Sequence, residues 1–394
     1  MNRPLGISAL TLTALAFMSL AAARQPASAP ATGTASQPSW PSWRGNSAQQ
    51  GVAAGTLADK LALRWKFKTG DKVQSSPVIG GGRVFVGSDD GSLYALNLAS
   101  GEKLWTFKTG KEIKAPPTLL GQTVIVGSND GNLYCLAVAD GKKLWSFETQ
   151  GQIWGAATVF TDKTGKTCVV VGSYDYKIYC LDAGSGKKLW SVDTENYVNG
   201  SAVIDRGRVV IGSCDGVVRV IDGQSGKVLK SYDIKPHLPE GATTAIPGSL
   251  AVADNRVYLG LFDNAVLCMD LTDGGKVWLY RHDDASFMGA PAVGDRHVIL
   301  GSKANRVYCL ERATGRRVWG FVAKNSVDAS PVICGDKVLV ASADGRLYLL
   351  RLADGKRVWS FDAGQPLLSS PAVAGGMVVV GCNDGVIYAF GTAR

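Results

Sequence analysis

The chain has 394 residues, including 48 glycines, with 46% apolar and only 19% charged residues. That balance is too apolar for a disordered chain and too rich in glycine for a coiled coil, and the length suits one large all-β domain. The formal charge of +9 permits anionic partners without identifying one.

Residues 1–23 read as an export signal. Arg3 supplies the positive start, residues 7–20 are apolar or small, and Ala21, Ala22 and Ala23 precede Arg24 as a cleavage site requires. The apolar run is short for a bilayer span, and no cysteine precedes Cys135, so a lipoprotein anchor is not expected. Residues 24–39 are rich in Ala, Pro, Ser and Thr and read as a flexible leader. Residues 40–60 form a lead-in opening on Trp40-Pro41-Ser42-Trp43-Arg44-Gly45, which is expected to pack against the domain that follows.

Residues 61–394 are a repeat. Tryptophan recurs at Trp65, Trp105, Trp145, Trp190, Trp278, Trp319 and Trp359, and Lys230 holds the same register inside the one double-length step. The eight registers are 40, 40, 45, 40, 48, 41 and 40 residues apart. Each unit carries four short strand signals, such as SSPVI, RVFVGS, SLYALNL and KLWTFKT. Asp90-Gly91 and its counterparts at 130, 215, 344 and 384 separate the second and third strands, where the dipeptide is expected to supply the positive φ angles of a tight turn. Four strands in about 40 residues is the period of a propeller blade. Runs such as Val378-Val379-Val380 suit strands covered on both faces. The last unit stops after three strands and the first segment is an orphan fourth strand. The fold expected is therefore an all-β, eight-bladed propeller of four-stranded antiparallel blades, its last blade closed by the N-terminal strand.

Four of the eight cysteines, Cys135, Cys180, Cys268 and Cys309, share one register with Ala95, Leu349 and Ala389. A position that accepts Ala, Cys or Leu is a packing position, so buried thiols are expected rather than disulfides.

Ala95-x-Asn97-x-x-Ser100-Gly101-x-x-x-Trp105 and Cys180-x-Asp182-x-x-Ser185-Gly186-x-x-x-Trp190 resemble the tryptophan-docking motif of PQQ-type propeller repeats. The opening Trp40-to-Gly45 segment is similar to the lead-in of exported PQQ-repeat proteins. The resemblance implies that the tryptophan of each blade packs against its neighbour. It leaves two kinds of function open. Quinoprotein alcohol dehydrogenases use PQQ, a Ca²⁺, a catalytic Asp and a vicinal cysteine pair. This sequence has no adjacent cysteines, no carboxylate cluster, and only two modest insertions, at 161–167 and 231–246. The other kind is the BamB-like scaffold of outer-membrane protein assembly, which this chain resembles in length and compact blades while lacking its lipidated cysteine. The expectation is an exported, periplasmic or secreted, non-catalytic scaffold, a monomer binding a protein partner, with neither PQQ nor calcium and no nucleic acid. A quinoprotein dehydrogenase or a degenerate relative is the alternative.

No triad, metal-ligand spacing or phosphate loop stands out; His237, His282 and His297 fall in different registers. A partner is expected at a channel mouth, where the register just before each inner strand varies: Gln74, Lys114, Trp154, Asn199, Pro247, Met288, Asp328 and Leu368. Trp154 is the candidate anchor. In the fourth unit, Arg219 replaces the usual Tyr and Lys230 the Trp, ahead of the 231–246 insertion, so weakened docking is expected there. Lys103, Lys142, Lys143, Lys187, Lys188, Lys227, Lys276, Arg316, Arg317, Lys356 and Arg357 fall between third and fourth strands and are expected to form a basic collar on the opposite face. Such a collar protects sheet edges and permits peripheral contact with anionic envelope components.

Overall fold

The structure, a computed structural model, describes Met1 and residues 39–282 and 285–393. The expected export signal and all but the end of the leader lie outside the described residues. The rest belongs to one compact unit, Gln37–Arg394. Its described residues contain eight sheets, each built on a four-stranded antiparallel blade. Blade 1 is Val78–Gly80, Arg83–Gly87, Ser92–Asn97 and Lys103–Lys108, numbered from the inside outward. Blades 2 to 7 repeat this over 118–148, 158–193, 203–233, 251–281, 292–322 and 332–362. Blade 8 takes its inner three strands from 372–392 and its outer strand from Leu61–Lys68. Leu61 pairs with Thr392 and Lys68 with Val386, so the two ends of the propeller sequence close one blade. The inner strands touch one another in a closed cycle around a central channel.

The strands form where the repeat places β-branched and aromatic residues between glycine turns. The turn between second and third strands differs from the expected two-residue form. In blade 1, Ser88 N–H bonds Ser92 O at 3.0 Å and Gly91 N–H bonds Ser88 O at 3.0 Å, which closes a three-residue loop. Only Gly91 is left-handed, with φ +81°. A type I turn followed by one left-handed residue needs glycine at that place alone, which frees the aspartate for another task. Asp90 accepts Ser92 N–H at 2.8 Å and the Tyr94 hydroxyl at 2.7 Å. The same bond joins Tyr134 to Asp130, Tyr179 to Asp175, Tyr348 to Asp344 and Tyr388 to Asp384.

Burial, and then the bond to the neighbouring carboxylate, raises the tyrosines of these pairs, Tyr348 to about 12. A raised phenol contributes stability that is complete below the free tyrosine value, near 10, and is lost as pH rises through the folded value. Thermal midpoints should therefore hold to about pH 10 and fall steeply above it. Phenolate absorbance of the folded protein should lag the free amino acid over the same interval. A midpoint flat through that interval would refute the linkage.

The core is a series of layers between blades. Trp105 packs with Phe85 of its own blade at 5.7 Å between ring centroids and shares a cluster with Val124, Val126 and Leu136 of blade 2. Its indole N–H reaches Val138 O of blade 2 at 2.9 Å. A Cβ on Gly141 would come within 2.6 Å of the indole, so glycine is what admits the ring. Trp65, Trp145, Trp190, Trp278 and Trp319 make the same carbonyl bond to the next blade at 2.8–3.0 Å. Trp359 faces the seam where the chain ends meet. It is half-buried against Phe390, at 5.6 Å, and no carbonyl bond of this kind is seen for it.

Blade 4 corrects the expectation of weakened docking. Lys230 is exposed, but Tyr232, two residues on and so on the same face, covers Gly274 of blade 5 and donates to Leu271 O at 3.0 Å. The 231–246 insertion contributes a short 3-10 turn, Lys235–His237, and His237 Nε2 lies 2.9 Å from Gly274 O. Arg219 keeps the turn aspartate as partner through an ion pair with Asp215 at 2.7 Å.

All eight cysteines are free, and seven are buried. Burial pushes their thiols up, Cys135 to about 11 and Cys309 to about 12, as befits packing groups.

Candidate binding site at the channel mouth

Inner strands expose an unpaired edge to the channel, and unpaired amides there need acceptors. The lead-in supplies them. Trp40 and Ile79 exchange two backbone bonds in blade 1. Pro41 O accepts from Leu119 of blade 2, Ser47 O from Ile204 of blade 4, Ala48 O from Val252 of blade 5, Gln50 O from Val293 of blade 6 and Gly51 O from Ile333 of blade 7. Val52–Ala53 then adds a parallel strand to the inner edge of blade 7. The lead-in therefore plugs the channel, a more intimate role than the packing expected from its sequence. Trp43 stands at the top of the plug, its indole N–H 3.2 Å from Ser249 Oγ.

Above Trp43 lies a funnel of about 190 Å³. Seven of the eight residues of the expected rim register, Gln74, Lys114, Trp154, Asn199, Met288, Asp328 and Leu368, line it. The eighth residue of that register, Pro247, is buried, and Gly248 lines the wall instead. Two residues beyond the rim register runs a feature that the sequence reading missed. Ser370 N–H bonds Ser76 Oγ, Ser330 N–H bonds Ser370 Oγ, and Ala290 N–H bonds Ser330 Oγ, at 2.8–2.9 Å. Ser201 N–H bonds Ser249 Oγ, and Ala156 N–H bonds Ser201 Oγ, at the same distances. Each serine oxygen thus holds the amide of a neighbouring blade, which fixes the wall of the funnel. The signal was the recurrence of Ser, Ala or Pro at one register beside the strand start.

Trp154 is 39% exposed and does not plug the channel. Lys114 Nζ sits 5.5 Å from its ring centroid, within cation–π range. Tyr174 lies tilted against Trp154 with centroids 4.9 Å apart, Tyr197 is tilted against Tyr174 at 4.7 Å, and Tyr176 meets Tyr197 edge-on at 5.1 Å. Tyr176 and Tyr197 are each 41% exposed. The result is an aromatic arc along one side of the mouth, over blades 3 and 4. The tyrosines were not singled out from the sequence. The signal for Tyr174 and Tyr176 is a departure from the repeat, Tyr174-Asp175-Tyr176 where five other blades have Asp-Gly at the last two positions. On the funnel wall, Asp328 Oδ1 and Asn199 Oδ1 are buried without hydrogen-bond partners.

The eleven collar residues are all exposed and lie at the turns between third and fourth strands, on the face opposite the funnel. The 3-10 turn is not long and apolar enough to cross a membrane, nor is any other helix among the described residues.

A closed ring of eight such blades, each repeating about every 40 residues, defines an eight-bladed β-propeller. The chain belongs to the family whose profile is described as the outer membrane protein assembly factor BamB, matched over residues 58–192, 116–321 and 322–394. BamB from Moraxella catarrhalis superposes with a TM-score of 0.70 at 19% identity, over 85% of this chain and 98% of that one. The quinohemoprotein alcohol dehydrogenase of Comamonas testosteroni gives 0.77 at 15% identity, over 91% and 81%. The computationally designed Ika8 protein gives 0.70 at 21%, over 82% and 98%. These likenesses establish the fold. No curated protein matches the chain.

Proposed function

We propose that this chain is an exported, non-catalytic scaffold of the cell envelope that captures a protein partner at the funnel, in assembly of the kind its family description names. The observation that carries this reading is the arc of Trp154, Tyr174, Tyr197 and Tyr176 beside a funnel with unpartnered acceptors. Exposed aromatics at the rim of a rigid pocket are typical interface anchors. Asp328 Oδ1 and Asn199 Oδ1 suit donors such as backbone amides or a basic side chain of an extended segment. Export to the periplasm, or beyond it, is part of the proposal, as is a monomeric state.

The residues at the funnel give a quinone cofactor little to hold. Asp328 is its one carboxylate and Lys114 its one flexible cation, and Trp43 closes the floor of a small cavity. Among the described residues no three of His, Cys, Asp or Glu converge as a metal site, whereas Ca²⁺ takes six to eight oxygens. This supports a protein that works without PQQ.

Affinity capture with the tagged, exported chain should recover a protein partner. Trp154→Ala should reduce capture at least tenfold, the equivalent of about 1.4 kcal/mol, with folding intact. Unchanged capture by the folded variant would refute the site. Bound quinone absorbance and dye-linked alcohol oxidation on addition of PQQ and Ca²⁺ would refute the scaffold reading as a whole. Any contact of the collar with anionic envelope polymers should weaken with salt, since exposed charges are screened within about 10 Å at 0.1 M.

A further inference from the structure

Arg44 is the least expected residue of the channel plug. It is 1% exposed, and its Nε, Nη1 and Nη2 have no hydrogen-bond acceptor. Burial lowers it to about 9, which leaves it a cation at neutral pH. A buried guanidinium with no counter-charge is costly, and a fold that keeps one needs a compensating group.

The plug is built so that the chain does not supply that group. Its carbonyls at Pro41, Ser47, Ala48, Gln50 and Gly51 turn outward to the inner-strand amides. Arg44 O is taken by Gly51 N–H at 3.0 Å. These carbonyls are spent on partners other than the guanidinium, which is left without an acceptor from the chain. The arginine is also held in place at some cost. Its backbone is left-handed, with φ +61°. A Cβ on Gly51 would lie 1.9 Å from Nη2, so only glycine lets the guanidinium lie there. The half-buried Trp43 closes the funnel floor beside it, its ring 5.9 Å from the guanidinium carbon.

We infer that the channel plug carries an enclosed anion site at Arg44, which takes a small singly charged anion of halide or formate size. The anion neutralises the guanidinium, accepts its N–H groups and locks the plug into the ring. A partner's carboxylate is the wrong occupant, because Trp43 stands between the funnel and Arg44. The competing arrangement is an enclosed water. The Gln49 Oε1 on the same plug is also buried without a partner, and a water would serve both groups.

Thermal unfolding of the full chain in sodium chloride or bromide, against sodium gluconate at equal ionic strength, separates the two. Gluconate is too large to enter. The midpoint should rise by a few degrees over a roughly hundredfold increase in halide and stay flat in gluconate. Crystals soaked in bromide should show an anomalous peak beside Arg44. Arg44→Met, close in shape and uncharged, should abolish the halide response, and Arg44→Lys should keep a weaker one. If Arg44→Met does not fold, the response of Arg44→Lys and the bromide peak decide. Equal midpoints in halide and gluconate, or an undiminished response in Arg44→Met, would overturn the site in favour of water.

Discussion

Truncation after Gly385 should leave a chain that no longer folds as a monomer. It removes Val386–Thr392, the strand that pairs with both Met377–Gly381 and Leu61–Lys68. Ile387, Ala389 and Phe390, all fully buried, go with it. Leu61–Lys68 then has no sheet to join, although Trp65 still carries an indole fitted to Gly101 and Leu98 of blade 1. Burying one Phe-sized side chain contributes about 3 kcal/mol or more by the cost of its removal, and domain stabilities are about 5–15 kcal/mol. A loss of these three fully buried side chains, of the buried Tyr388 and of two strand pairings exceeds that margin. The truncated ring also exposes two unpaired strand edges, so aggregation or strand-exchanged dimers should replace the monomer. Size exclusion and circular dichroism check this. A soluble monomer with an unchanged cooperative transition would show that closure by the chain ends is dispensable.

Trp105→Ala should cost about 3–5 kcal/mol, read from urea unfolding, as for a large buried aromatic. It opens a cavity between blades 1 and 2 and leaves Val138 O without its indole donor. Trp359→Ala should cost roughly half as much, because that ring is half-buried and stands at the seam. Tyr232→Phe, which removes only the bond to Leu271 O, should cost about 1 kcal/mol. Equal losses for Trp105→Ala and Trp359→Ala would show that the carbonyl bond and the glycine beneath the indole add nothing beyond apolar area.

The collar and the edges illustrate how local signals serve the fold. Leu104 and Leu144 are exposed on outer strands, each beside a lysine, Lys103 and Lys143. Alternation along the strand puts the following tryptophan inward and the leucine outward. The lysines keep these outer edges from pairing with other chains.

Taken by itself, the sequence determined the number of blades, the four strands of each, the ring closure and the channel-mouth register. All of these follow from short-range rules: glycine where φ must be positive, alternation along a strand, and tryptophan recurring about every 40 residues. Only the tertiary structure decided that Tyr232 takes over from Lys230, that serines from blades as distant in sequence as Ser76 and Ser370 join around the funnel, and that Trp43 and Arg44 fill the channel. Those partners lie up to hundreds of residues apart, and a repeat brings many equivalent positions close together. Which of them meet depends on the curvature of the closed ring and on the path of the lead-in through it, and neither is written in any one repeat.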